Sequence, residues 1–411
     1  MSATFTIARL GAQGDGIAET ETGPVFIPFT LPGERVTAAR EKDRATLMAV
    51  VEPSPQRVVP ACRHFGECGG CALQHMEQSA YLAWKRDKVV HALKGIDAPV
   101  ADIVPCPPNS RRRVVLSARR TEAGMLLGYN RALSHHIIDI AECPIAVPAI
   151  EAALSKLREL AALIAVTPQA FHIAVTASAS GLDVAATGGG RLSDAVRRAA
   201  SDFVIRNRFA RLSVDGEIIV EPVKPTVAFG PATVAPPPGA FLQAVASAEQ
   251  TMADLVIGHI GKAKRVADLF AGCGAFASRL ASGSEVHAAE GDQAALAALD
   301  RAGKSPPGLK RVIAEKRDLF RRPLTAKELD AYGGIVFDPP RAGAEDQSKQ
   351  IAKSEVPLVA AVSCNPTTLA RDLKILIAGG YRVKSVTPID QFLWSPHVEA
   401  VALLEKPRRR R

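Results

Sequence analysis

The chain changes character after the three prolines at 236–238. Beyond them, apolar stretches of strand length alternate with stretches of helical periodicity. We predict strands at 265–270, 285–290, 334–338 and 358–363, with a helix over 242–260 and further helices from about 275 and about 292. Alternating strands and helices are typical of a parallel, doubly wound sheet, in which ligands bind at the carboxyl ends of the strands. Residues 236–411 are therefore predicted to form one α/β domain.

Two smaller regions precede this domain. Residues 1–55 contain five short apolar stretches separated by glycine and proline turns, which predicts a small open barrel of the oligonucleotide-binding kind. Residues 56–235 are predicted to form a strand-rich central domain with helices over 78–95, over 148–165 and from Ser193 to about Ile205. At 411 residues the chain is long enough for three domains.

Charge and cysteine content narrow the function. The net charge of +9 favours a polyanionic partner, and nucleic acid is the usual one. The seven cysteines, without an apparent export signal, argue against a disulfide framework and for metal binding or catalysis. With no long apolar run for a membrane helix, we expect a cytoplasmic location, no membrane contact and no obligate protein partner.

A glycine loop follows the first strand of the α/β domain. Gly272 and Gly274 allow a tight turn before a helix, but no third glycine follows at the spacing of dinucleotide sites. Glu290 ends the next strand, 18 residues after Gly272, where an acid can accept hydrogen bonds from ribose hydroxyls. Asp338, before two stiffening prolines, ends another strand. The pattern favours S-adenosylmethionine over NAD.

Cys364 directly follows the apolar strand 358–363 and precedes a polar, proline-stiffened segment. An isolated cysteine is more often a buried small apolar residue, but such a residue needs no polar segment after it. A thiolate that adds to C6 of uracil makes C5 nucleophilic enough to accept a methyl group. A base must then remove the C5 proton. Because the thiolate is the reactive form, we expect the pKa of Cys364 to be depressed.

Glu399 is the candidate for this base. It opens an apolar stretch that predicts a final strand, and strand alternation would place His397 on the same face. Asp390 is a rival acid, but Glu399 directly abuts the apolar strand.

These residues resemble the RNA uracil-5-methyltransferase family, whose members modify 23S ribosomal RNA or the tRNA T-loop. The resemblance covers essentially the whole chain. Its motifs here are Phe241-Leu242-Gln243, Asp268-Leu269-Phe270 to Gly274, Glu290, Asp338-Pro339-Pro340-Arg341, Ser363-Cys364-Asn365-Pro366 and His397-Val398-Glu399.

The resemblance implies a Rossmann-like class I methyltransferase domain and a TRAM-like N-terminal barrel. It implies Cys364 as nucleophile and Glu399 as the base. It also implies a set of cofactor contacts: Gln243, Phe270, Glu290, Asp318 and Asp338. Two positions depart from the family pattern, Val245 for asparagine and Ala275 for a polar residue, and either could weaken cofactor affinity.

Four cysteines form a separate pattern. Cys62, Cys68 and Cys71 are close in sequence, and Cys143 follows before a proline. The spacing suits four thiolates around zinc or an iron–sulfur cluster and does not choose between them. In the resembled family this pattern holds a [4Fe–4S] cluster. Together with a TRAM-like barrel, it favours 23S ribosomal RNA as substrate over tRNA.

Three alternatives remain open at this stage. The substrate could be the tRNA T-loop, the sheet could support another methyl transfer such as cytosine C5 methylation, or the chain could bind RNA without catalysis. The arginines at 111–113, 119 and 120 form the densest basic stretch of the central region. They are interpreted either as phosphate ligands or as a solvated strand face.

Overall fold

Three sheets of six, seven and seven strands organise residues 2–304 and 307–407, which are the residues described by a computed structural model. The predicted α/β class is confirmed, with a strand-rich N-terminal region of barrel type and a doubly wound sheet at the C-terminal end. None of the helices in the described part of the chain has the length and apolar character needed to cross a bilayer.

The N-terminal sheet contains six strands, one more than the five predicted, because a two-residue strand had no sequence signal. Its order is β1-β5-β6-β4-β3-β2. The strands are β1 (Ser2–Thr6), β2 (Arg9–Leu10), β3 (Gly16–Thr20), β4 (Gly23–Ile27), β5 (Arg35–Glu41) and β6 (Arg44–Glu52). Alternate apolar side chains from Phe5 to Ala45 fill its interior.

The central sheet has the order β13-β12-β11-β10-β7-β8-β9. The elements in chain order are α1 (Gln78–Ala92), β7 (Arg113–Thr121), β8 (Gly124–Asn130), β9 (Ile137–Asp139), α2 (Pro148–Glu151), α3 (Leu154–Ile164), β10 (Phe171–Ser178), β11 (Gly181–Thr187), α4 (Asp194–Arg206), β12 (Arg211–Val214) and β13 (Glu217–Val220). The single helix predicted over 148–165 is thus two helices. Ser193 caps α4 through the N–H of Val196.

The hairpin β14 (Val227–Phe229) and β15 (Ala232–Val234) leads into the C-terminal sheet, whose order is β18-β17-β16-β19-β20-β22-β21. Its elements are α5 (Ala246–Ile260), β16 (Arg265–Leu269), α6 (Ala277–Leu280), β17 (Glu285–Glu290), α7 (Gln293–Ala302), β18 (Val312–Lys316), α8 (Ala326–Leu329), β19 (Gly334–Phe337), α9 (Glu345–Lys353), β20 (Leu358–Ser363), α10 (Pro366–Ala378), β21 (Arg382–Ile389) and β22 (Glu399–Glu405).

The strands of this sheet are parallel except β22, which pairs antiparallel with both neighbours. The predicted strands agree with the structure, while β18 and β21 were not predicted. The helix predicted from 242 begins at Ala246, because Val245 is extended and forms a bridge with Arg111.

Helix α1 belongs spatially to this C-terminal sheet although it precedes the central sheet in sequence. Val89 and Leu93 pack into the same apolar core as β19 and β20. The segment after α1 runs alongside β21, where Val100 bridges to Val386 and Val104 to Ile389. Helix α1 and this segment therefore support the end of β21, where the chain enters the candidate site.

Candidate active site

Four predicted site residues meet at one edge of the C-terminal sheet. Phe270, Asp338 and Cys364 each directly follow a parallel strand, so they lie together at its carboxyl edge. Glu399 reaches the same edge from the opposite direction, because β22 is antiparallel and pairs Ala400 with Ser363. The fold thus places the thiol between two carboxyls that are far apart in sequence.

The two carboxyls are buried and linked by glutamines. Gln243 Nε2 donates to Asp338 Oδ2 at 2.9 Å, and Gln391 Nε2 donates to Glu399 Oε2 at 3.0 Å. Burial raises the pKa of Asp338 to about 7, and the hydrogen bond from Gln243 opposes this. Burial and the charge of Asp338 raise the pKa of Glu399 well above its usual range. Asp338 can therefore exchange protons near neutral pH, whereas Glu399 holds its proton to a higher pH than an exposed glutamate does.

The expectation that the pKa of Cys364 is depressed is wrong. Burial raises the pKa of this half-buried thiol to about 11, and the carboxyls of Glu399 and Asp338 add to the effect. Arg341 opposes it. The sequence showed only that Cys364 follows a strand. The fold places acids around its sulfur, and their negative charge disfavours the thiolate form.

The loop after β16 is shaped for a ligand. Phe270 has φ +62°, a conformation that is uncommon for a bulky residue and occurs often at functional sites. A Cβ on Gly272 would meet no atom within 4 Å, so the backbone there faces open space. A Cβ on Gly274 would lie 2.2 Å from Leu299 of α7, so glycine lets the helix pack closely. Glu290 braces the loop by accepting the N–H of Gly272 at 2.9 Å.

Asp268, inside β16, adds a third buried acid beneath this loop. Its carboxyl oxygens have no side-chain hydrogen-bond partner among residues 2–304 and 307–407. Burial raises its pKa well above the usual range, the backbone N–H of Ala277 at the start of α6 opposes this, and the charges of Asp338 and Glu290 add to the rise. A buried acid without a side-chain partner, beside two other acids, suits a ligand with positive charge, such as a sulfonium or an ammonium group.

Asp318 lies in the loop after β18, and its carboxylate accepts the N–H groups of Phe320 at 3.0 Å and Arg321 at 3.2 Å. The ring of Phe320 lies 5.3 Å from that of Phe270, centroid to centroid. The two rings line a cavity of about 140 Å³ that Arg371 also borders. Asp318 is thus joined to the loop after β16 through this aromatic pair.

His397 and Asp390 do not belong to the group of carboxyls next to Cys364. His397 precedes the first residue of β22, so strand alternation does not reach it, and its ring packs at 6.0 Å from that of Phe392. Asp390 is fully buried and bound by Lys85 and by the hydroxyl of Tyr81, both on α1. These contacts give Asp390 a structural role and leave Glu399 as the acid beside the thiol.

We expect the ion pair between Lys85 and Asp390 to be essential for stability. Both side chains are fully buried. Burial raises the pKa of Asp390 and lowers that of Lys85, and their attraction opposes both shifts. Lys85→Met leaves one acid buried without a counter-charge and should lower the free energy of unfolding by about 3 kcal/mol. Urea denaturation measures this loss.

The loss should shrink as the pH falls, because Asp390 becomes neutral at low pH and then needs no partner. The double variant Lys85→Met/Asp390→Leu is the control, since removing both charges restores much of the stability. A Lys85→Met variant as stable as the wild type at pH 8 would contradict this role.

The arginines at 111–113 hold the loop that carries Gln243. Arg112 Nε donates to the carbonyl of Gln243 at 3.1 Å, and its guanidinium pairs with Glu249 of α5 at 2.5 Å. Arg113 donates to the carbonyl of Ala240 at 3.2 Å. The arginine stretch is interpreted from the sequence as phosphate ligands or as a solvated strand face. Neither interpretation describes Arg112 and Arg113, because both connect the central sheet to the candidate site. Their role and that of Gln391 had no clear sequence signal.

The four predicted ligand cysteines line one cavity. Cys62, Cys68, Cys71 and Cys143 line this cavity together with Tyr129. Burial raises the pKa of Cys68 to about 11 and that of Cys71 to about 12, and neighbouring thiols add to both shifts. In the described part of the chain, no three His, Cys, Asp or Glu side chains are arranged to hold a single metal ion.

Comparison with known proteins places this geometry in a family. A family model described as tRNA (uracil-5-)-methyltransferase matches residues 202–407. An RNA methyltransferase of Mesorhizobium japonicum is 69% identical, with 100% of each chain covered. A 23S rRNA (uracil(1939)-C(5))-methyltransferase of Halomonas elongata is 33% identical, with 98% of this chain and 89% of the relative covered.

A solved structure has the same fold along its length. The tRNA (uracil-54, C5)-methyltransferase of Pyrococcus abyssi, in complex with S-adenosyl-L-homocysteine, superimposes with a TM-score of 0.77. The alignment covers 98% of this chain and 99% of that one at 23% identity. At this identity the match supports the architecture alone.

Proposed function

The chain belongs to the tRNA (uracil-5-)-methyltransferase family, and we propose that it methylates C5 of a specific uridine in 23S ribosomal RNA through a covalent adduct of Cys364. The observation that carries this proposal is the placement of one thiol beside two buried carboxyls at the ligand-binding edge of the sheet. The methyl donor is S-adenosylmethionine, which supplies an electrophilic methyl group on a positively charged sulfur.

The cofactor fits the residues around the glycine loop. Open space at Gly272 admits a ligand against the backbone, and Glu290 lies where a ribose could be bound. Asp268 and Asp338 are buried acids whose ionised forms a cationic ligand would stabilise. Gln243 and Phe270 border the same loop region, and Asp318 reaches it through Phe320. The departures at Val245 and Ala275 lie in this region and leave the thiol and its carboxyls unchanged.

The chemistry uses the thiol and the carboxyls in order. The sulfur of Cys364 bonds to C6 of uracil, and the electron pair of the C5–C6 double bond moves toward C5 and O4. The nucleophilic C5 then takes the methyl group, as the bond between the methyl carbon and the sulfonium sulfur of the donor breaks and its electron pair stays on that sulfur. Glu399 removes the C5 proton, the electrons of that bond restore the double bond, and the C6–S bond breaks to release the thiolate.

Because the pKa of Cys364 is raised, addition of its sulfur to C6 of uracil also requires a group that accepts the thiol proton. At neutral pH the group is a thiol, so its proton must leave as sulfur attacks carbon. An ionised carboxylate next to it is the natural acceptor, and Asp338, with a pKa of about 7, is partly ionised under these conditions. Asp338, one of the two acids that disfavour a resting thiolate, thus serves as the proton acceptor during addition, and Glu399 stays available for the C5 proton.

One relative and the N-terminal half of the chain support 23S rRNA as the proposed substrate. The relative from Halomonas elongata, named as a 23S rRNA methyltransferase, aligns with 98% of this chain, so the match extends into the N-terminal sheet. We propose that the N-terminal sheet is a TRAM-like RNA-binding barrel. A target uridine within a duplex must be flipped out to reach Cys364, so a loop is the favoured substrate.

We further propose that Cys62, Cys68, Cys71 and Cys143 hold a [4Fe–4S] cluster. The four thiols share one cavity, and the N–H of Gly70 already donates to Cys68 Sγ at 3.4 Å, as N–H groups do to cluster sulfurs. A [4Fe–4S] cluster is larger than a single metal ion. It therefore suits four thiols that line one cavity but are not arranged to bind the same ion.

Protein purified without oxygen should therefore be coloured and contain about four iron atoms per chain. Cys68→Ala should lose the iron, whereas Cys106→Ala, a buried thiol outside the set, should keep it. Iron analysis and visible absorbance measure both. Iron-free wild-type protein would contradict the cluster, and zinc in its place would support the other metal predicted from the spacing.

The experiment that tests the function is a map of 5-methyluridine in ribosomal and transfer RNA from a deletion strain. We expect one 5-methyluridine to be absent from 23S rRNA and to return when purified enzyme and S-adenosylmethionine are added. Loss of the tRNA T-loop modification instead would identify the alternative substrate of the same family. An unchanged map in both RNAs would contradict the proposal.

A further inference from the structure

Gln391 is a buried polar residue next to the proposed base. It follows β21 by two residues and is 2% exposed. Strand β21 pairs Ile389 with Glu399, so the chain after β21 turns directly past the carboxyl of Glu399. This glutamine lies outside the motifs that the chain shares with the resembled family.

Its amide joins both halves of the site. Gln391 Nε2 donates to Glu399 Oε2 at 3.0 Å and to Gln243 Oε1 at 2.8 Å. Gln243 Nε2 in turn donates to Asp338 Oδ2 at 2.9 Å. The two amides therefore form a continuous hydrogen-bond series between the buried carboxyls, and each carboxyl accepts an N–H from it.

The backbone on both sides of Gln391 is fixed by α1. Lys85 binds the carboxylate of Asp390, the preceding residue, and donates to the carbonyl of Phe392, the following residue, at 2.9 Å. Tyr81 donates to Asp390 Oδ1 at 2.7 Å. This double attachment limits the positions that the Gln391 side chain can reach, so its amide is held against Glu399.

We propose that Gln391 is a positioning residue that favours the ionised form of Glu399 and orients it to remove the C5 proton. This inference rests on the proposed function, in which Glu399 is the base. A neutral amide donor stabilises a buried carboxylate without adding charge. Turning the amide over would bring its oxygen against Glu399 Oε2, so ionisation of Glu399 favours the observed orientation of Gln391.

Loss of the Gln391 amide should slow the last chemical step, which is removal of the C5 proton and release of the RNA. The proton leaves C5 for Glu399, the electrons of the C–H bond form the C5–C6 double bond, and the C6–S bond breaks. Addition of the thiol and methyl transfer precede this step and do not require Glu399 as a base. Loss of the Gln391 amide should therefore slow release of the methylated RNA from Cys364 without slowing formation of the adduct.

Other ionisable groups on the elements packed around Glu399 contribute to its pH dependence, and they are the same in the variant and the wild type. They are Asp338, Arg341, Cys364, His397, Cys106, Tyr81, Lys85 and Asp390. A shift between the two pH profiles therefore reports the amide.

The test compares Gln391→Met, which keeps the length of the side chain and removes the donor, with Gln347→Met. Gln347 is a similarly buried glutamine whose amide bonds only to the backbone of Leu324 in the described residues. Gln391→Met should lower turnover near neutral pH by about 10- to 100-fold, and its acid limb should move to higher pH. Gln347→Met should lower thermal stability and keep the wild-type pH profile.

Two RNA substrates separate positioning from a general structural role. With natural RNA, Gln391→Met should accumulate the methylated covalent adduct. With RNA carrying 5-fluorouridine at the target, the adduct should form at the wild-type rate, because fluorine blocks elimination in both proteins. Slowed adduct formation or an unshifted pH profile would overturn the inference. If wild-type enzyme formed no adduct with the fluorinated RNA, the proposed function itself would fail.

Discussion

Replacing Cys364 with alanine is expected to abolish methylation of RNA. The residue supplies the only sulfur that the described fold places between Asp338 and Glu399, and no neighbouring group can add to C6 in its place. Without the adduct, C5 of uracil is too weak a nucleophile to accept the methyl group. We expect turnover to fall by roughly 10⁴-fold or more, measured as transfer of labelled methyl from S-adenosylmethionine.

Cys106→Ala is the matched control for this prediction. Cys106 is a buried thiol whose charged neighbours are Asp390 and Lys85, and its loss should leave methylation near the wild-type level. Thermal unfolding of both variants separates misfolding from lost chemistry. Substantial methylation by a folded Cys364→Ala protein would contradict the covalent mechanism.

Replacing Glu399 with glutamine should have the second-largest effect and a different character. The amide keeps the shape of the side chain and can still accept the hydrogen bond from Gln391, but it cannot take a proton. Turnover should fall by about 10²- to 10⁴-fold. Methylated RNA should remain attached to Cys364, which gel electrophoresis under denaturing conditions detects as a heavier protein band.

The control is Glu405→Gln, the same substitution at the other end of β22, where the carboxylate pairs with Lys384 at 3.5 Å on the surface. It should form no lasting adduct with natural RNA. Glu399→Gln should also be no less stable than wild type at pH 8, because it removes a buried group whose ionisation is unfavourable. Normal turnover by Glu399→Gln would assign proton removal to another group.

The sequence predicts the C-terminal fold well because its strands are apolar runs that end in functional residues. β16 leads into Phe270 and the glycine loop, β17 ends in Glu290, and β19 and β20 are followed directly by Asp338 and Cys364. β18 and β21 were missed since their sequences mix charged with apolar residues, as expected near the edges of a sheet. Helix α5 begins later than predicted because Val245 is held extended by a bridge to Arg111, a contact across domains.

Some residues of the candidate site can likewise be predicted from the sequence, and others cannot. Cys364, Asp338 and Glu399 were predictable because each lies at a strand end with a recognisable neighbouring motif. Gln391 and Arg112 act through partners 148 and 131 residues away in sequence, and no local pattern reports such contacts. The pKa of Cys364 was mispredicted for the same reason, since the carboxyls that raise it approach only when β19, β20 and β22 assemble.

The covalent adduct is the centre of this account, and mass spectrometry of the trapped complex tests it most directly. The wild-type enzyme is incubated with S-adenosylmethionine and RNA carrying 5-fluorouridine at the target, then digested with protease and nuclease. We expect one modified peptide, with the methylated fluorinated nucleotide bonded to Cys364. An adduct on any other residue, or efficient methylation of natural RNA with no trapped peptide, would contradict the proposed mechanism.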